Sequence, residues 1–318
     1  MSRLRSRAVV PACAVLALLW SSLEPVCAQG LGELLLRKNS LYHEISVYKR
    51  GSVVTLQFGR RNATLFQSQV DVSDLRRHLL EYSALAFGGL LYEPEPKRVL
   101  VVGLGGGVIP REMHHYFPQT EVDVVEIDPE ILTIAQEFFS FRPDDHLQVH
   151  IADGRVFIRN QLRQQPVPKY DLIILDAFNS EYIPFHLMTK EFLEEVKGVL
   201  SEDGVVVANI FYVNRLFDAE VKTYLEVFGR CQGFFGARSG NCLLIAPGAQ
   251  APTLTSADAV DRAAELQRKH AFAFDLPRVA RLLHPEVHPE PRATVLTDDR
   301  APVDWLRSQE TQQTPQAQ

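Results

Sequence analysis

The stretch Lys97-Arg-Val-Leu-Val-Val-Gly-Leu-Gly-Gly-Gly-Val-Ile-Pro-Arg-Glu112, followed by Val124-Val-Glu-Ile-Asp-Pro129, decides the fold. An apolar run from Val99 to Val102 ends in Gly103, Gly105, Gly106 and Gly107, and a helical pattern starts next. A second apolar run then ends in an acid, Glu126. That is the layout of a nucleoside-binding β-turn-α-β unit, in which an acid about 20 residues past the loop can hold two ribose hydroxyls. The loop carries no G-x-x-x-x-G-K-[S/T], which argues against a phosphate-cradling P-loop. Its glycines also lack the G-x-G-x-x-G spacing of dinucleotide enzymes. A ribose-binding acid without a pyrophosphate loop points to adenosyl sulfonium compounds such as S-adenosylmethionine.

Two later segments extend the pattern. His150-Ile-Ala-Asp-Gly-Arg155 reads as a strand ending in Asp153 and Gly154, and Tyr170-Asp-Leu-Ile-Ile-Leu-Asp176 as a buried strand ending in Asp176. Glu126, Asp153 and Asp176 would then project from the carboxyl edge of one parallel sheet, where doubly wound folds bind ligands. Any one of them taken alone is also what a helix cap or turn displays.

These residues resemble the spermidine synthase family, a branch of the class I S-adenosylmethionine methyltransferase fold. The resemblance runs over roughly residues 40–245, with a C-terminal Leu296-Thr-Asp-Asp-Arg-Ala-Pro-Val-Asp-Trp-Leu306 that is similar to bacterial spermidine-synthase-like proteins. The segment through His150-Ile-Ala-Asp-Gly154 is also similar to the C-terminal half of a dual methyltransferase acting on a translation elongation factor. The resemblance implies S-adenosylmethionine or decarboxylated S-adenosylmethionine as the bound compound. It implies Gln67, Gly103, Gly105, Gly107, Glu126, Asp153 and Gly154 on that compound and Asp176 as the catalytic residue. Asn179, Tyr182 and His186, on the loop after Asp176, are the expected contacts to an amine acceptor, either a small molecule or a protein.

Departures from the family pattern bear on activity. The aminopropyltransferase loop reads Gly-Gly-Gly-Asp-Gly-Gly, and Gly106 stands where its acid would be. The family's Asp-Ser-Ser-Asp-Pro is here Asp176-Ala-Phe-Asn179. Its acidic acceptor motif is not evident in Asp74-Leu-Arg-Arg-His-Leu-Leu-Glu-Tyr82. A polyamine is a multiply charged cation whose pocket needs carboxylates, each worth about 1–3 kcal/mol. The sequence therefore ranks methyl-type transfer first, aminopropyl transfer second and a non-catalytic binding role third. It also predicts that acids restored at 106 and 179 would improve aminopropyl transfer.

The chain has 318 residues, 46% hydrophobic and 23% charged, enough for one large α/β domain with a small appended unit. Arg3, Arg5 and Arg7 precede an apolar run from Ala8 to Trp20, and Val26-Cys-Ala28 offers a small-residue cleavage site. Residues 1–28 are thus expected to be a signal peptide or, through residues 8–20, a membrane anchor, with the domain exported. The formal net charge is -6, and removing that leader, with its three arginines and Glu24, leaves -8. An acidic body disfavours nucleic-acid binding. The oligomeric state is left open, a homodimer being one alternative.

The pattern predicts a doubly wound, mostly parallel Rossmann-like α/β sheet. A small β unit at 40–70 precedes it, a cofactor domain spans 75–247, and a helical extension at 253–306 leads to a disordered tail at 307–318. Strands at 98–103, 121–126, 147–151, 170–176 and 204–211 alternate with helices at 107–116, 129–139, 154–163, 189–200 and 216–228, an order that implies a parallel sheet with both faces covered. One amphipathic helix is expected over 75–91, a closing hairpin near 231–246 and a further helix over 257–270. Cys231 and Cys242 flank the expected hairpin turn at Arg238-Ser-Gly240, whose register puts Cys231 near residue 246, so the two are expected to stay unbridged.

Overall fold

A computed structural model describes residues 30–59, 66–177, 184–212 and 216–300. The leader, Asn179, Tyr182 and the C-terminal tail fall outside those residues. The first sheet is an antiparallel meander of β1 (Glu33–Asn39), β2 (Glu44–Arg50), β3 (Val53–Phe58) and β4 (Ser68–Asp71). β2 and β3 bury Ile45, Val47, Val54 and Leu56. Strand β1 lies ahead of the expected β unit, and all but one of its residues are exposed. Glu-Leu-Leu-Leu-Arg-Lys-Asn has no period-2 alternation, because an edge strand with little burial imposes none.

The helix expected over 75–91 is shorter. α1 (Glu81–Leu85) runs directly into a 3-10 segment, Ala86–Leu91. Upstream, Asp71 accepts from Ser73 N at 3.0 Å and Asp74 from Arg76 N at 3.3 Å, and such local turns compete with helix formation. The tight segment is required by packing: a Cβ on Gly88 would lie 2.5 Å from the Phe234 ring, and one on Gly89 2.7 Å from Val207.

The main sheet has eight strands. β5 (Arg98–Val102), β6 (Glu121–Glu126), β7 (Leu147–Ile151), β8 (Tyr170–Leu175) and β9 (Leu200–Phe211) are mutually parallel where they pair. β10 (Gln232–Phe235), β11 (Asn241–Pro247) and β12 (Leu283–His284) close it antiparallel, in the order β12-β10-β11-β9-β8-β5-β6-β7. From β5 the chain winds outward through β6 and β7, then returns to β8 on the other side. That reversal opens a crevice beyond the carboxyl ends of β5 and β8.

Side chains of β5 alternate between two cores. Val99 and Val101 join Ile131, Ile134 and Phe139 on one face; Leu100 and Val102 join Phe157, Ile158 and Phe192 on the other. The covering helices are α2 (Val108–Tyr116), α3 (Pro129–Phe138), α4 (Gly154–Leu162), α5 (Lys190–Val199) and α6 (Leu216–Phe228), close to their expected bounds. The C-terminal extension is not purely helical. After α7 (Ser256–His270) and α8 (Leu276–Ala280), β12 adds to the sheet beside β10. Phe235 pairs with Cys242 and Gln232 with Ile245, so both cysteines stay free and buried, as the turn register requires. No helix among the described residues is long and apolar enough to cross a membrane.

Candidate active site

The crevice is a cavity of ≈ 480 Å³ lined by the ends of β5, β6, β8 and β9, the first residues of α1 and α4, and the meander. Gly103 makes it possible. Its φ is +101°, and a Cβ there would sit 2.3 Å from the Asp176 carbonyl oxygen. Only glycine lets the chain leave β5 at that angle against the neighbouring strand. Asp176 N donates to Val102 O at 2.8 Å, which extends the parallel ladder by one residue and brings Asp176 to the sheet edge.

At the β6 end, Glu126 is 8% exposed. Its Oε2 accepts from Leu104 N at 3.0 Å and its Oε1 from Asp128 N at 2.9 Å. Each oxygen retains a further acceptor position, which two ribose hydroxyls could fill. Burial raises its pKa, and hydrogen bonds from the backbone of Asp128, Leu104 and Ile127 oppose that shift. Asp153 has two duties. Its Oδ1 accepts from Val156 N at 3.0 Å as the cap of α4, and its Oδ2 faces His186 Nε2 at 2.8 Å. The His186 hydrogen bond is the largest cause of its lowered pKa.

Burial pushes the Asp176 pKa up to about 7 against a hydrogen bond from Asn209. Asn209 Nδ2 donates to Asp176 Oδ1 at 2.7 Å, and Asn241 Nδ2 donates to Asn209 Oδ1 at 2.8 Å. Tyr82 donates its hydroxyl to Gln67 O at 2.9 Å, and its own pKa is driven upward by burial and then by the Asp176 charge. Glu81 lines the same cavity, with Oε2 accepting from Arg238 N at 2.8 Å and Ser239 N at 3.1 Å.

The cavity thus brings together Gln67, Gly103, Gly105, Glu126, Asp153, Gly154, Asp176 and His186, as read from the sequence. Gly107 lies apart from these residues. It precedes α2 at φ +72°, where a Cβ would strike Phe141 at 2.4 Å, and it is not part of the cavity wall. Its left-handed φ makes the turn into the helix, which glycine adopts without strain. Gly106 is closed as well: a Cβ there would lie 2.5 Å from Phe139 Cδ1 and 2.6 Å from Ser68 Oγ. The expectation that an acid restored at 106 would serve the cavity therefore meets a packed wall. Arg111 and Glu112 are structural. Arg111 donates to Phe139 O at 3.0 Å and Leu75 O at 2.7 Å, and Glu112 is buried beside it.

Sequence reasoning missed Glu81, Tyr82, Asn209 and Asn241. Asn209 did carry a signal, being a lone amide inside the apolar run Val205–Ile210. Glu81 and Tyr82 close the segment in which no acceptor motif was evident, yet the start of α1 places both in the cavity.

The sequence profile described as Spermine/spermidine synthase domain matches residues 80–234. A polyamine aminopropyltransferase of Vibrio vulnificus is 36% identical over 303 residues, 93% of this chain and 99% of that protein. The eEF1A lysine and N-terminal methyltransferase of Mus musculus is 39% identical over 132 residues, covering 38% of this chain and 19% of that protein. The crystal structure of human methyltransferase-like protein 13 in complex with SAH superposes with a TM-score of 0.53 at 30% identity, over 60% of this chain and 90% of that one. With the cavity at the carboxyl edge of a methyltransferase-like sheet and a relative matched along nearly its whole length, this chain is a spermidine-synthase-like group transferase and belongs to the spermine/spermidine synthase family.

Proposed function

We propose that this protein transfers an aminopropyl group from decarboxylated S-adenosylmethionine to an amine, in place of the methyl transfer that the sequence alone ranks first. The observation that carries the reading is the presence of Glu81 and Tyr82 beside Asp176 in one cavity. The carboxylates counted missing from the loop and from the strand end are partly replaced by one on α1. The likeness to the Vibrio polyamine aminopropyltransferase over 93% of this chain and 99% of that protein supports the same choice.

The transfer is an in-line displacement. A neutral amine nitrogen forms a bond to the aminopropyl carbon attached to sulfur, the carbon–sulfur bond breaks, and the sulfonium leaves as a neutral thioether. Alignment and removal of the amine's proton supply most of the rate. Asp176, with its pKa raised to about 7, is suited to accept that proton near neutrality. Glu126 would hold the ribose and Asp153 the adenine amine. Tyr82 and Glu81 would border the amine, and Asn179 and Tyr182, outside the described residues, remain proposed contacts.

A second reading, methyl transfer from S-adenosylmethionine, is favoured by the closed wall at Gly106 and by the likeness to the mouse methyltransferase. Mass spectrometry of products separates them. The protein is incubated with putrescine and either decarboxylated S-adenosylmethionine or S-adenosylmethionine. Spermidine in the first reaction supports the proposal, and a product heavier by one methyl group in the second, with none in the first, replaces it. The basic and apolar order of residues 3–28 supports export as part of this reading. An intact Met1 found by N-terminal sequencing of the native protein would reject that part.

A further inference from the structure

The C-terminal Leu296-Thr-Asp-Asp-Arg300 has no part in the chemistry above, yet its contacts converge on the cavity. Leu296 is fully buried. Its N–H donates to Thr223 Oγ1 on α6 at 2.9 Å, and its carbonyl accepts from Lys190 N at the start of α5 at 2.8 Å. Thr297 and Arg300 exchange backbone hydrogen bonds at 3.1 and 3.0 Å, closing a tight turn. Asp298 Oδ1 then accepts from Arg155 Nη1 at 2.6 Å and from Thr189 Oγ1 at 2.7 Å, and Oδ2 accepts from Arg155 Nη2 at 2.8 Å.

Arg155 is 5% exposed. Its second edge forms a fork with Glu195, with both bonds at 3.0 Å. Nη1 also donates to His186 O at 3.2 Å, and His186 Nε2 meets Asp153 Oδ2 at 2.8 Å. One guanidinium thus ties the C-terminal turn to the backbone of the residue that pairs with Asp153. A cation buried between two carboxylates is no better for stability than apolar packing of the same volume. What the planar fork supplies is fixed geometry.

We propose that the Leu296–Arg300 turn is a strap which, through Asp298 and Arg155, positions His186 against Asp153 and so sets the adenosine end of the cavity. Asp298 and Arg155 are positioning residues, acting through His186. The inference rests on the adenosyl reading of the cavity for what is bound there, but the strap itself is observable without ligand.

The test uses the full chain, labelled with nitrogen-15, and 5′-methylthioadenosine, the thioether that aminopropyl transfer leaves, as the probe. In ligand-free protein, Asp298→Asn is expected to move the His186 ring-nitrogen resonances toward those in Asp153→Asn, which breaks the pair directly. Calorimetry is expected to give about a tenfold weaker affinity for the probe in Asp298→Asn, and no further loss when the same change is made in His186→Ala. Unmoved His186 resonances overturn the strap. So do affinity losses that multiply in the double variant, because a merely structural role would add to any other change. Arg155→Lys, which keeps the charge and loses the fork, is the second variant should Asp298→Asn not fold, and the same shift is expected of it. If the wild-type protein does not bind the probe, the adenosyl reading fails and the ligand-free resonances still decide the strap.

Discussion

Asn209 Nδ2 donates to Asp176 Oδ1 at 2.7 Å from the end of the neighbouring strand, and Asn241 fixes the orientation of Asn209 at 2.8 Å. The pair reaches across β8 and β9 and links the Asp176 carboxyl to the antiparallel half of the sheet. A hydrogen bond to the ionised form favours ionisation, so Asn209 holds the Asp176 pKa below the value burial alone would set. Asn209→Leu removes that bond, which is worth about 1.5–3 kcal/mol to a charged acceptor. The expected outcome is an acid limb of the pH–rate profile displaced upward by about 1–2 pH units. An unmoved limb would show that Asp176 is not the group it reports.

The Asp176 carboxyl also links activity to stability with opposite sign. Its pKa is raised from 3.8 to about 7, so between those values the folded state binds more protons than the unfolded state. Stability from this group is full below the unfolded pKa and declines as pH rises through about 7, while the base form needed for transfer accumulates. Asp176→Asn should therefore melt at a higher temperature than wild type at pH 8, be closer to it at pH 4, and lose at least about 100-fold in rate. Melting curves at the two pH values, with a single activity assay, check all three.

Glu126→Ala should weaken binding of adenosyl thioethers by about 2–3 kcal/mol through loss of charge-assisted hydrogen bonds. Part of any loss will come from Leu104 N and Asp128 N, which it leaves without their acceptor. Glu126→Gln keeps one acceptor and should lose less. Calorimetry with 5′-methylthioadenosine measures both, and unchanged affinity in the alanine variant would remove Glu126 from the site.

The parallel core was legible because its strands are short apolar runs that end at glycine or acid, and its helices show clear periodicity. Asp153 illustrates why single residues were harder to read. It is both a helix cap and a cavity carboxylate, so two readings that looked like alternatives are both realised. Glu81, Tyr82 and Asn241 were not legible, because their positions depend on α1 and β11 meeting over the β9 end, which no local spacing encodes. Strand β1 was missed because an exposed edge leaves no alternation.

Gly106→Asp should not improve aminopropyl transfer. The new Cβ meets Phe139 and Ser68 within 2.6 Å, so the ring or the loop must shift. Overpacking of this kind costs about 1–3 kcal/mol. A lowered melting temperature with no gain in spermidine yield is expected. A gain with unchanged melting would mean that the loop has room and that the acid was the missing group.

Glu81 offers the sharpest test of the acceptor end. Its carboxyl borders the cavity, with Oε2 accepting from Arg238 N and Ser239 N and Oε1 3.8 Å from Nε of the exposed Arg238 side chain, which leaves Oε1 free to accept a further donor. A diprotonated diamine would gain from that charge, whereas the adenosyl portion of the donor, held at Glu126 and Asp153, would not. Glu81→Gln keeps the shape and one acceptor for the two backbone donors while removing the charge. The expected result is a KM for putrescine raised by about tenfold or more, corresponding to about 1.4 kcal/mol, with the affinity for 5′-methylthioadenosine unchanged. Steady-state kinetics with putrescine varied, set beside calorimetry of the thioether, separates the two effects. If both affinities fall together, Glu81 serves the wall of the cavity rather than the amine. If neither changes, the acceptor's charge is met elsewhere and the carboxylate argument for aminopropyl transfer loses its footing.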